Sequence, residues 1–223
     1  MRRALALLIL SGALVAPSLR AEPALADRVV VRFTAPETGG ARSPRFVLER
    51  VLAFEARLEA LGDPDHVVTD ERPYRERHVR AALERHVAET LLASLRIDPE
   101  PSERELVRTA QTARTILYQR AKNPVAVERA RAAEGIDDRE ILRMLRRQAR
   151  ASLYLDRMVA PMLAPSRAEL EVIHRTLDTP FAALPFEQAQ APLARWTVAL
   201  RLSEALATFY QNARSRLELT IVS

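Results

Sequence analysis

The order of apolar and polar residues predicts a helical chain with a strand near each end. Asp27 to Phe33 is short and β-branched, with Val29, Val31 and Phe33 on one face. Leu217 to Ile221 alternates apolar with polar. Between them the period is helical. Ser43-Pro44 predicts an N-cap and a first-turn proline, and Val47, Val51, Phe54, Leu58 and Leu61 follow on one stripe. Gly62 and Pro64 end that helix. A second helix, starting near Pro73, carries Val79, Leu83, Val87, Leu91 and Leu95, and pairs such as Glu76 with Arg80 neutralise its outer face.

Ser102 with Glu105 reads as a capping box for a third helix, which holds Leu106, Ala110, Ala113 and Leu117. Lys122-Asn123-Pro124 leads into a short helix closed by Gly135. Asp137 with Glu140 opens a long helix with Ile141, Leu145, Ala149 and Leu153. Ser166 with Glu169 caps another, and the last helix, from near Phe186 or Pro192, runs through Leu193, Trp196, Leu200, Leu206, Phe209 and Ala213. A lone strand leaves a row of backbone groups unpaired, so the first and last strands are expected to pair with each other.

The first 26 residues read differently. Arg2 and Arg3 precede an apolar or small run from Ala4 to Ala16, and Pro17 follows. A basic start before a run too short to span a bilayer is the secretory signal pattern. Ala24-Leu25-Ala26 supplies the small residues that signal peptidase requires, so cleavage is expected after Ala26, with an exported product that starts at Asp27. No other apolar stretch is long enough to predict a transmembrane segment.

Composition then removes whole chemistries. The chain has 223 residues, 48% hydrophobic and 28% charged, as in a folded protein. With no cysteine there is no disulfide, thiolate metal site or cysteine nucleophile. Five glycines form no dinucleotide fingerprint, phosphate loop or serine elbow.

What polar chemistry remains is thin. His78 and His86 stand two turns apart, too far to share a metal ion, and Glu171-x-x-His174 is half of a di-iron ligand set that needs two such motifs. The four histidines, His66, His78, His86 and His174, are expected at the surface or at an interface. No catalytic residue and no cofactor site is predicted. Arg139, Arg143, Arg146, Arg150 and Arg157 recur on one stripe of the long helix, opposite its core face. Such a stripe binds an anionic partner or is simply a solvated face, the reading favoured here. Nucleic acid is a poor partner for an exported chain with only 5% aromatic residues.

The order of elements resembles the SurA-type periplasmic chaperones, related to the trigger-factor-like peptide-binding fold. Three stretches carry the likeness. They are the valine-rich strand Asp27 to Phe33, the run from His78 through Ile97-Asp-Pro-Glu-Pro-Ser-Glu-Arg-Glu-Leu106 and Gly135 to Leu170, and the closing helix and strand Arg201 to Val222. Residues 27–223 are thus expected as one core, with an N-terminal helical part at 27–178 and a closing helix and strand at 181–223. The expected fold is mainly α, with a small two-stranded sheet pairing the N-terminal and C-terminal strands. Family members usually carry parvulin-type prolyl isomerase domains before the closing helix, but Leu177-Asp-Thr-Pro-Phe181 crosses that point with no room for one.

The resemblance therefore implies a non-catalytic, ATP-independent chaperone without the isomerase. It would bind unfolded polypeptides, outer-membrane proteins above all, in an apolar groove between helices, and it allows self-association. The alternative is a structural adaptor of the cell envelope, the same fold holding one fixed protein partner. A groove wide enough for an extended peptide favours the former, a sealed core the latter.

Overall fold

The computed structural model describes residues 27–69, 71–121 and 123–222, so the expected signal segment, residues 1–26, lies outside the described residues. The chain is mainly helical, with a small antiparallel sheet that joins its first and last strands. Strand β1 (Val29–Thr34) pairs with β3 (Glu218–Ile221), setting Val31 against Ile221 and Phe33 against Leu219.

A further strand, β2 (Arg45–Leu48), pairs on the other side of β1, giving the order β2-β1-β3. This corrects the expected helix start at Ser43-Pro44. Val47 fits a helical stripe in sequence, but it is paired with Val31 in the sheet and fully buried. Helix α1 (Glu49–Gly62) begins only after the strand. Gly39 and Gly40 hold positive φ angles of 99° and 67° in the turn before β2, a geometry that favours glycine.

The other helices follow their caps. Helix α2 is Glu76–Ser94, and α3 (Glu103–Arg120) is capped by Ser102, whose hydroxyl accepts from the Glu105 N–H. Asn123 caps α4 (Pro124–Ala133). Asp137 and Glu140 form a reciprocal capping box on α5 (Asp138–Tyr154), which satisfies two otherwise orphaned donors. Beyond α5 the chain widens into a π-helical turn (Leu155–Val159) and tightens into a 3₁₀ turn (Ala160–Leu163). Helix α6 (Arg167–Thr176) and the long α7 (Phe186–Arg214, with Pro192 inside it) lead back to the sheet.

Two apolar cores lie on either side of α1. One joins the sheet to α1, α2 and the end of α7 through Val31, Phe33, Val47, Leu52, Leu91 and Ala213. The other joins α1 to α3, α4 and α5 through Phe54, Leu58, Val127, Met144, Leu145 and Ala149. Burying a Phe33 or Phe54 side chain contributes about 1.5–3 kcal/mol each. Among the described residues, no helix is long and apolar enough to cross a membrane.

Candidate functional site

Four helices leave a groove between them. The face of α2 contributes Ala81, Arg85, Ala88 and Leu92 at helical spacing, and α3 opposes it with Thr109, Ala113, Ile116 and Arg120. The end of α5 with the turn after it closes the bottom through Gln148, Ala151 and Leu155, and the second half of α7 forms the remaining wall through Leu206, Phe209 and Tyr210. Its volume is about 730 Å³, within the range of roughly 300–1,000 Å³ usual for ligand clefts. Ala81, Ala88, Ala113, Ala151 and Ala207 face the groove with side chains too short to fill it. The walls are apolar, and charge is confined to Glu84, Arg85, Glu89 and Arg120.

Beneath this fringe the two cores are stitched by buried charges. Glu55, on α1 between Phe54 and Ala56, is only 1% exposed. It accepts from Arg147 Nη2 at 2.6 Å and from His86 Nδ1 at 3.0 Å. A carboxylate offers only acceptors, so the His86 proton sits on Nδ1. Burial pushes the Glu55 carboxyl up, but the charge and hydrogen bond of His86, then those of Arg147, outweigh it and hold the group at about 2. Arg147 Nε also donates to Glu89 at 3.1 Å. For Glu89 burial wins over Arg147 and Arg85, and its carboxyl is raised. Arg85 pairs with Glu59, which also accepts from Arg120 at 2.5 Å. The ion network therefore runs from the interior to the groove rim.

The five arginines of the α5 stripe separate into two groups. Arg139 and Arg143 are exposed, with Glu140 3.9 Å from Arg143. Arg146 donates to Glu103 at 2.6 Å, Arg150 to Glu100 and the Ala93 carbonyl, and Arg157 to Glu105 and the Pro99 carbonyl. Arg146 and Arg150 thus tie α5, and Arg157 ties the π-helical turn that follows it, to the end of α2, the start of α3 and the connection between them.

The histidines correct the surface expectation. His66, His78 and His86 are buried, and each is held by a neighbour that compensates its polarity or packs on its ring. His78 Nδ1 accepts from the Arg75 N–H, so its Nε2 carries the proton and donates to Asp63 at 2.8 Å. That bond, then the Asp65 N–H, holds the Asp63 carboxyl at about 2. The His66 ring packs edge-on against His78, with centroids 4.7 Å apart. His174 bonds to the Leu184 carbonyl and packs on Phe186, while Glu171 pairs with Arg167. Among the described residues, no cluster of histidine and carboxylate side chains is arranged to hold a metal ion.

Glu55 and Arg147 went unmarked in the sequence. The signal was there for Glu55, which lies four residues after Val51 and three before Leu58, a carboxylate on the core stripe of α1. Arg147 sits one position off the arginine stripe, on the inward side. Compared with known protein families, curated proteins and solved structures, the chain gives no match.

Proposed function

We propose that this chain is a non-catalytic, ATP-independent chaperone of the periplasm, of the SurA-like type without its isomerase domain. Residues 1–26 would serve as its export signal. It would hold extended apolar segments of unfolded polypeptides, outer-membrane proteins among them, in the groove between α2, α3, α5 and α7. The observation that carries this reading is the groove itself: apolar side chains from four helices left open around about 730 Å³. An aqueous surface keeps such an apolar area open at a cost, and binding of apolar partners is its usual return. The charged rim fits a client that is released again, because it keeps the groove wetted when empty and supplies partners to a peptide backbone when full.

Light scattering of an unfolded outer-membrane protein, diluted with and without this chain, tests the reading. Suppressed aggregation at stoichiometric ratios is expected, and added ATP should leave it unchanged. A flat response at stoichiometric excess would sink the chaperone reading and leave the envelope adaptor with one fixed partner. A proline tetrapeptide should isomerise at its uncatalysed rate in the presence of the chain.

A further inference from the structure

The two edges of the sheet are not alike. Strand β2 opens on Pro44 and Arg45 and runs directly into α1, and a flanking proline, a charge and short length are devices that keep an edge from pairing. Strand β3 is equally short and opens on Glu218, which accepts from Thr34 Oγ1 of β1, but no proline precedes it and no charge stands along Leu219-Thr220-Ile221. Its inward bonds are set by the ladder to β1, where the Val222 N–H donates to the Val30 carbonyl at 2.9 Å. Antiparallel ladders alternate bonded with non-bonded pairs, so Thr220 and Glu218 also point their backbone groups at β1. Leu219 and Ile221 therefore present their N–H and C=O groups on the open edge. Their side chains extend the buried Val31–Phe33 face past its cover, and Leu219 is 38% and Ile221 75% exposed.

We propose that this edge pairs antiparallel with β3 of a second copy, continuing the three-stranded sheet across a two-fold axis at Thr220. The strand is self-complementary in that register. Leu219 of each copy lies opposite Ile221 of the other, so both outward-facing residues exchange both of their hydrogen bonds and their apolar side chains meet. Thr220 faces its own copy across the axis, a favourable cross-strand pair. Glu218 faces Val222, so no like charges oppose one another. The interface continues the β1–β3 ladder already present and goes beyond the chaperone reading, on which it does not depend. Four backbone hydrogen bonds and four apolar side chains make a small contact, well below the area of about 1,200 Å² that marks stable complexes, so the dimer is weak and concentration-dependent.

The full chain carries no cysteine, so one introduced thiol reports on one position. Facing residues of a non-bonded antiparallel pair have Cα atoms about 4.5 Å apart, within disulfide reach. Under mild oxidation Thr220→Cys should cross-link to a dimer at least about tenfold faster than Ile221→Cys or an exposed Arg139→Cys control. Sedimentation of the unmodified chain should move from monomer towards dimer as concentration rises. Ile221→Pro removes an outward donor without touching a β1–β3 bond, and should stay monomeric with an unchanged circular dichroism spectrum. Should proline disturb the strand, Ile221→Lys provides the same test through charge. Monomer at every concentration with equal cross-linking at all three cysteines would overturn the proposal. So would a dimer that survives both Ile221 variants, or cross-linking of Thr220→Cys to an added unfolded client but never to itself.

Discussion

Helices α5 and α7 both line the groove, and they handle apolar surface in opposite ways. Helix α5 is sharply two-faced: Met144, Leu145, Ala149, Ala151 and Leu153 are buried, while Arg146 and Arg150 on its flank are tied to Glu103, Glu100 and the Ala93 carbonyl. Helix α7 is 29 residues long and apolar around much of its circumference, yet it buries only Ala189, Leu193, Thr197 and Ala213. Leu200 stays exposed, and Leu206, Phe209 and Tyr210 look into the groove. A helix with one apolar stripe is satisfied by one core. A helix with apolar residues on several faces is satisfied only where something else covers them.

Perturbing the α5 side should cost stability, and perturbing the α7 side should cost binding. The largest effect is expected from Arg147→Ala, which leaves Glu55 buried with His86 alone. Loss of about 3–5 kcal/mol is expected, read as a shift in the urea midpoint. A loss under about 1 kcal/mol would show that the network is not what seals the two cores.

Acid should act on the same side. The Glu55 carboxyl is held at about 2 in the fold against an ordinary value of 4.5. Its contribution is therefore complete above about pH 4.5 and is lost as pH falls towards 2, for a total of roughly 3 kcal/mol. Urea midpoints measured across that window should fall, and the fall should flatten in Glu55→Gln. Arg150→Ala should cost less, about 1–2 kcal/mol, since the hydrogen bonds it makes to Ala93 and Glu100 lie at the edge of the fold.

The smallest stability change belongs to the groove wall. Ala207→Trp places a bulky ring at an exposed groove position on α7, and its urea midpoint should stay within about 0.5 kcal/mol of the parent. The same variant should lose most of its suppression of client aggregation. If stability drops and suppression survives, the division between the two helices is wrong.

Much of this frame was readable in advance, because capping is a local device. Ser102, Asp137 and Ser166 announced their helices through spacing to a glutamate, and each hydroxyl or carboxylate accepts a backbone N–H at its helix start. The pairing of β1 with β3 was readable too, from the energetic cost of two lone strands. Strand β2 was not. Val47 satisfies a helical period and a strand alternation equally, and only its long-range partner Val31 decides between them. The groove was hidden for a related reason. Ala113, Leu117 and Leu206 carry the same pattern whether they meet a neighbour or an empty space, since periodicity reports a face and not what lies opposite it.

The ladder between β1 and β3 also bears on the order of folding. Thr34 Oγ1 donates to Glu218 across 184 positions of chain, and the central strand of the sheet is completed by an element made well after it. Each doubling of a flexible loop adds only about 0.6 kcal/mol to closing it, so the long separation weighs little on equilibrium stability. It weighs on kinetics, because contacts this distant in sequence slow the search. Until α7 returns, β1 has β2 on one side and an open edge on the other, and a partly made chain is briefly in the condition of the clients proposed for it.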